Sequence, residues 1–388
     1  MTVAFWVAAF LVAYTYLLYP ALLWLCTTGR RAHAADDPDT WPSVSLVISA
    51  YNEADVMAAK LENALDLDYP DGKLQVVVVS DCSDDGTDAI AEGYADCGVE
   101  LVRLERRSGK TAGQNAGVQR ATGEVLVFTD ANSMYETEAL KALVRPLGDA
   151  AVGCVCGQLR YVNPGGGAGK GEGFYWRYEQ FLKRRESLLG SLVGANGSIY
   201  AVRTELFEAL GPAIISDFIM PIRVVRQGRR VLYEPGAVAV ESSGKRFGEE
   251  LRRRTRIIAR SLYGLWTQRG VLCPFPRPLF ALQVVSHKVI RWAVPVCLLV
   301  ALGSSGAAAW SGAPGFVGLF AVQAAFYGLA LLGGLSPNLL GRFGLFYVPA
   351  YFCAINLGVL LGLLSFLTGR RYAVWQPIER HEAAGEEN

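Results

Sequence analysis

The chain has 388 residues, 52% of them hydrophobic, with a mean hydropathy of +0.24 and a formal net charge of +1. That length holds a soluble domain with further segments, and near-neutral charge excludes nucleic acid as the main partner, because counterion-release binding needs a strong basic excess. The cysteines (Cys26, Cys82, Cys97, Cys154, Cys156, Cys273, Cys297 and Cys353) form no Cys-x-x-Cys pair and meet no histidine at zinc spacing, which excludes a metal or disulfide framework.

In chain order, residues 3–25 are almost continuously apolar with aromatics at both ends, long enough to span a bilayer. A cleaved signal peptide is the competing reading, with 32–34 as a loose cleavage site. No basic residue precedes the run, however, and it is too long for a signal core. Arg30 and Arg31 follow it, so an uncleaved anchor over 1–27 is expected, with the N-terminus outside and the following domain in the cytoplasm of an inner-membrane protein.

Residues 40–270 turn soluble. Apolar runs of strand length at 44–49, 74–80, 100–104, 125–129 and 152–157 alternate with helical patterns such as 53–66 and 109–121. This predicts an α/β fold built on a mainly parallel sheet covered on both faces. Ligands of such sheets bind at the carboxyl ends of the strands, where Tyr51, Asn52, Glu53, Asp81 and Asp130 all fall. Asp130 and Asn132, two apart after an apolar strand, share one face of the extended chain and offer hard oxygen ligands suited to Mg²⁺ or Mn²⁺.

Past Pro274 the chain is apolar again. Residues 275–292 read as an amphipathic interface helix, with Gln283, His287 and Arg291 recurring every four positions as a polar stripe toward the membrane surface, and His287 as an interfacial rather than a catalytic group. Three candidate spans follow within 293–368, at 293–310, 316–335 and 345–367, before a polar tail at 369–388. Three crossings leave the tail outside, whereas Arg370 and Arg371 favour inside. Either one segment is re-entrant, Pro349 and Asn356 pointing to the last, or the charge rule fails.

Within 43–270 the motifs run in a fixed order: Tyr51-Asn52-Glu53, Asp81 in Ser80-Asp81-Cys82-Ser83-Asp84-Asp85-Gly86, then Gly109-Lys110 with Asn115, Asp130-Ala131-Asn132, Ala195-Asn196-Gly197, Ser216-Asp217 and Arg253-Arg254-Thr255-Arg256. This set resembles the family 2 glycosyltransferases, inverting enzymes of the glycosyltransferase A fold. The flanking spans are similar to those of the membrane branch that includes cellulose, hyaluronan and chitin-oligosaccharide synthases.

The resemblance implies a hexosyltransferase with a UDP-sugar donor. Tyr51 and Glu53 would meet the uracil and ribose, Asp81 the nucleoside, and Lys110 a phosphate or the uracil edge. Asp130 and Asn132 stand where the family has Asp-x-Asp, so the second ligand here is neutral. Asp217, in Ile215-Ser216-Asp217 at the place of Thr-Glu-Asp, would be the general base and also suits a helix N-cap. Arg253 and Arg256 fall on the Gln-x-x-Arg-Trp element, Arg256 matching its arginine against the diphosphate; Arg253 replaces Gln and Ile257 replaces Trp. Asn196, Gly197 and Trp176 would lie on the acceptor side, and Trp375-Gln376-Pro377-Ile378-Glu379-Arg380 resembles a tail element that folds over the donor in some relatives. The implied activity is transfer to a growing β-linked glycan with export through the spans; the alternatives are one addition to a lipid-linked acceptor and an inactive nucleotide-binding scaffold.

Overall fold

A computed structural model describes residues 1–30, 36–162, 169–242, 247–335 and 344–374. An apolar helix α1 (Thr2–Thr27) precedes the domain and is widened by one π-turn at Tyr14–Leu18. The domain then runs β1 (Val44–Ala50), α2 (Ala54–Leu65), β2 (Leu74–Ser80), α3 (Thr87–Glu92), β3 (Val99–Arg103), α4 (Lys110–Val118), β4 (Val125–Asp130), β5 (Met134–Tyr135) and α5 (Ala139–Val144). It continues with β6 (Val152–Val162), α6 (Gly169–Leu189), β7 (Tyr200–Arg203), α7 (Ser216–Arg226), β8 (Arg230–Ser242) and α8 (Phe247–Thr267). Three long apolar helices follow: α9 (Pro278–Trp310), α10 (Phe316–Leu335) and α11 (Leu345–Leu367).

The strands form one sheet in the order β3-β2-β1-β4-β7-β6-β8-β5. β3, β2, β1 and β4 are parallel neighbours, and β6 pairs parallel with β8. Only β7 and β5 run against the rest, so the expected mainly parallel sheet is present with two reversals. Its central strands are near-continuous buried runs because both faces are covered, which is what parallel pairing with helical crossovers requires.

Alternation along each strand divides the core. Val44, Leu46 and Ile48 of β1 face a layer with Met57, Leu61, Leu140 and Leu143. Val47 faces the opposite layer, with Phe128, Phe218 and Ile219. Each such side chain contributes roughly 1.5–3 kcal/mol on full burial. The second layer also takes in Val284 and Trp292 of α9 and Val359 of α11, so the domain and the apolar helices share one core.

Four helices, α1, α9, α10 and α11, are long and apolar enough to cross a membrane. The predicted break near residue 292 is absent: α9 is one 33-residue helix with a π-turn at Val285–Val289. Away from the sheet, Phe5 of α1 meets Phe316 of α10 edge-on at 5.3 Å. α11 behaves differently. Its Gly358 and Gly362 lie against α8, and a Cβ on Gly362 would stand 2.7 Å from the Ile258 Cβ and 2.9 Å from the Thr255 carbonyl oxygen. Glycine is what lets the two backbones approach so closely.

Candidate active site

The loops after β1 and β2 are stitched together. Asn52, in the left-handed region at φ 52°, donates its amide to Asp84 Oδ1 at 2.7 Å and accepts the Asp84 N–H at 3.1 Å. The Glu53 N–H donates to Thr87 Oγ1 at 2.8 Å. The buried Tyr51 ring is covered by the Arg107 guanidinium, 3.6 Å from its centroid, a cation–π contact that builds a flat platform at the strand ends.

Asp81 is buried and accepts the backbone N–H groups of Ser108 at 2.6 Å and Gly109 at 2.9 Å. Both oxygens thus fix the entry to α4, and each keeps a lone pair for a further donor. Gly109 has φ 90°, and the Ala373 carbonyl oxygen from the segment after α11 occupies the space a Cβ would need. No other residue fits there.

Lys110, delivered by that turn, pairs with Asp130 Oδ1 and donates to the Gly197 carbonyl at 3.1 Å. Asp130 ends β4, and its Oδ2 accepts from Ser198 Oγ at 3.4 Å. The half-buried Asn132 amide is unengaged among the described residues.

Behind this pair lies a layer that sequence reasoning missed. Ser133 and Ser198 both donate to Glu241 Oε1, each at 2.5 Å. Lys60 is buried, donates to Thr129 Oγ1 at 3.1 Å and to the Ser133 carbonyl, and sits 4.5 Å over the Tyr135 ring. Burial pulls its pKa down to about 7, against the opposing pull of Asp130 and Glu241. A signal was present: Lys60 shares the apolar helix face of Met57, Leu61 and Ala64, where a charge needs a partner.

Asp217 stands in the first turn of α7, tied by the Ala195 N–H donating to its carbonyl at 2.8 Å. A Cβ placed on Gly197 would be 3.1 Å from both Asp217 Oδ2 and Lys110 Nζ, so carboxylate and ammonium flank one backbone position. Asp217 Oδ1 is buried with no hydrogen-bond partner among the described residues. Burial pushes this carboxyl above the ordinary aspartate range; Lys110 and Lys183 pull it down, Asp130 adds to the rise and Arg260 opposes it.

Of the expected acceptor-side residues, Gly197 lies within this group. Asn196 is turned inward: it accepts from Lys183, donates to the Gly157 carbonyl at 3.0 Å, and gives its backbone N–H to Cys156 Sγ at 3.2 Å. Trp176 packs on Tyr161 of β6, ring centroids 5.0 Å apart.

α8 brings Arg253, Arg256 and Arg260 to one face, at spacings of three and four. Arg260 Nη2 donates to Thr111 Oγ1 at 2.9 Å and to the carbonyls of Pro212 at 3.0 Å and Ile214 at 2.7 Å. Burial, then Arg260 and Arg253, pull Arg256 down to about 10. Crowded guanidinium groups of this kind, Arg260 buried and the other two half-buried, favour a bound anion, which would offset both desolvation and mutual repulsion.

The family model for glycosyl transferase family 2 matches residues 45–211. An N-acetylglucosaminyltransferase of Rhizobium leguminosarum bv. trifolii is 30% identical over 136 residues, covering 34% of this chain and 74% of that protein. The chain belongs to glycosyltransferase family 2. Glycosyltransferase AglE of Haloferax volcanii is 28% identical over 177 residues, 45% of this chain and 56% of its own length. The chain spans 52–56% of the length of the first curated relatives it matches. The mannosyltransferase PcManGT from Pyrobaculum calidifontis, solved with GDP-Man and Mn²⁺, superposes with a TM-score of 0.73 over 95% of this chain and 100% of that one, at 23% identity. That likeness shows a glycosyltransferase A fold.

This family 2 glycosyltransferase departs from the sequence expectation at its junction with α1 and α9. The stripe of Gln283, His287 and Arg291 does not face outward but packs on α6. His287 Nδ1 lies 2.7 Å from Glu186 Oε1, which also accepts from Tyr19 at 2.7 Å. Arg291 pairs with Glu179, and Tyr14 of one π-turn meets Ser286 of the other at 2.8 Å. Glu186, His287 and Gln283 are all buried. A four-residue polar period has the same appearance whether its partner is water or a second polar helix.

Beyond α11, Tyr372 meets Ser365 at 3.2 Å, and the Arg371 guanidinium lies 4.9 Å over Tyr263. The end of α11 and residues 370–373 therefore run back along α8 to the Lys110 turn. The tail element from Trp375 to Arg380 lies outside the described residues.

Proposed function

We propose that this transferase moves a sugar, with inversion, from a UDP-sugar to the hydroxyl of a growing β-linked glycan, working at the inner face of a cell membrane and passing product toward the apolar helices. The observation that carries this reading is the flanking of Gly197 by Asp217 and Lys110, with Asp130 paired to Lys110 and Arg260 of α8 close enough to act on Asp217. Asp217 takes the acceptor hydroxyl's proton as that oxygen attacks the anomeric carbon from the face opposite the diphosphate. The bond to the diphosphate oxygen breaks with its electron pair, and Lys110, Arg253 and Arg256 hold the charge that develops there. Tyr51, Glu53 and Asp81 form the nucleoside end.

Mg²⁺ or Mn²⁺, when bound, would neutralise the leaving diphosphate. Asp130 and Asn132 would hold it. No group of three or more His, Cys, Asp or Glu side chains that could hold a metal gathers among the described residues. One carboxylate plus one amide oxygen suits a cation whose other ligands are the donor's own phosphates.

Anchoring by the four apolar helices is part of this reading. The return of residues 370–373 to the Lys110 turn supports a tail on the domain's side, and burial of Val359 with Phe218 and Trp292 supports α11 as the re-entrant segment.

A second reading, addition of one sugar to a lipid-linked acceptor, is favoured by two features, of which the first is that Lys288 of apolar α9 lies 5.9 Å over Phe218, the neighbour of Asp217. Ile257, where the resemblance places tryptophan, points the same way. A screen of radiolabelled UDP-sugars with Mg²⁺ or Mn²⁺, scored for UDP release and product size, tests both. A ladder or high polymer supports the glycan; a single lipid-soluble product supports the second reading; no UDP release from any donor overturns both.

A further inference from the structure

We infer that Arg260, one turn beyond the arginine that matches the family element, is a positioning residue: it clamps the loop that carries Asp217 to the helix start that carries Lys110. This rests on the reading of Asp217 as base and Lys110 as a diphosphate ligand.

Arg260 is buried, and a single terminal nitrogen reaches three acceptors drawn from two loops. Pro212 and Ile214 lead directly into Asp217; Thr111 directly follows Lys110. The loops are also joined to each other, since Thr111 Oγ1 donates to the Ile214 carbonyl at 2.7 Å. One guanidinium thus closes a triangle whose corners are the base loop, the lysine helix and α8.

Packing reinforces that triangle. A Cβ on Gly264, one turn further along α8, would stand 2.6 Å from Ile219 Cγ1 and 3.4 Å from Ile214 Cγ2, so α8 lies hard against the same loop. The neighbouring arginine does a different job. Nη2 of Arg260 is committed to protein acceptors, whereas Arg256 has no acidic partner among the described residues and is the one poised for phosphate. Two arginines four residues apart divide the work: one faces the substrate, the other holds the frame. Misplacing catalytic groups by about 1 Å costs roughly 100-fold in rate, so a clamp between two catalytic loops acts on kcat.

The test uses the full chain in lipid nanodiscs. Arg260→Met removes charge and donors at similar volume; Arg260→Lys restores part of both. We expect kcat of Arg260→Met to fall about 100-fold while its dissociation constant for UDP with Mn²⁺, by calorimetry, stays within about threefold. Amide hydrogen exchange of residues 211–217 and 108–113 should rise about tenfold with the sheet unaffected, and Arg260→Lys should recover part of both losses. UDP affinity falling as far as kcat overturns the proposal and makes Arg260 a substrate ligand. Unchanged exchange in the two loops overturns it whatever the activity. If the native chain turns over no donor, the transferase reading fails, and the exchange measurement still decides the clamp. Should Arg260→Met not fold, Arg260→Gln, which removes the charge and shortens the reach while leaving the Thr111–Ile214 bond in place, takes the same exchange test: a rise in both loops supports the clamp, and no rise overturns it.

Discussion

Two polar clusters in this molecule, one buried and one half-buried, are built on opposite principles. At the junction of α1, α6 and α9, acid meets base: Glu186 with Tyr19 and His287, Glu179 with Arg291. At the strand ends, charges are left over. Asp217 Oδ1 has no partner, Arg256 has no acid and crowds two further arginines, and Asn132 engages nothing among the described residues. Both clusters bear the desolvation cost of buried polar groups. The first offsets most of it by pairing acid with base and so ties helices together, leaving His287 Nε2 and Gln283 Oε1 without a hydrogen bond among the described residues; we read the second as one that a ligand would complete. Surplus charge, rather than charge as such, marks the site.

Substitutions can break that contrast. The largest effect is expected at Asp217: Asp217→Asn should lower kcat about 1,000-fold, within the range for loss of a general base, with UDP affinity retained; activity within tenfold of native would reassign the base. Because burial raises this carboxyl and the base must be ionised, the acid limb of kcat/KM should lie above the ordinary aspartate value of about 3.9, activity being lost as pH falls through it.

Glu186→Ala should do the reverse. It leaves Tyr19 without its acid and His287 with Glu179 alone, 3.6 Å from Nε2, and should cost roughly 3–5 kcal/mol of stability, read as a lower thermal midpoint, with UDP affinity unaltered. A loss of UDP binding with native stability would join the junction to the site.

Arg256→Met removes the unpaired cation and should cost about 2 kcal/mol of UDP affinity, roughly 30-fold. Relief of the repulsion within the arginine group should spare or raise stability, and a destabilised protein with native affinity would move Arg256 into the paired class. The smallest effect is expected at Asn132. Asn132→Asp adds the missing ligand charge and should tighten Mn²⁺ about tenfold in the presence of UDP; unchanged affinity would place the second ligand elsewhere.

Much of the strand-end half of the candidate site is legible in the sequence. β1, β2 and β4 are single apolar runs, and Tyr51, Asp81 and Asp130 follow them directly, so strand pattern and strand-end chemistry sit side by side in the chain. Asp217 and Arg256 are legible only through the order of the motifs. Lys60, Glu241 and Arg260 stand in no such motif. Glu241 ends a long bulged strand, and Arg260 follows Arg252, Arg253, Arg254 and Arg256, where a further arginine looks like one more member of a basic face.

The sequence by itself determined the alternation of strand and helix, the buried central strands, the positions of the chemical groups at the strand ends and the four apolar helices, because each depends on the period and polarity of neighbouring residues. Only the tertiary structure decided which way the polar stripe of α9 faces, that α11 docks on α8 rather than standing apart, that residues 370–373 close on Gly109, and which arginine holds the frame. Those choices depend on partners 46 to 149 positions away for Arg260 and 101 for His287. A buried charge and a solvated one are written with the same residue, and what distinguishes them is the group that the fold brings opposite.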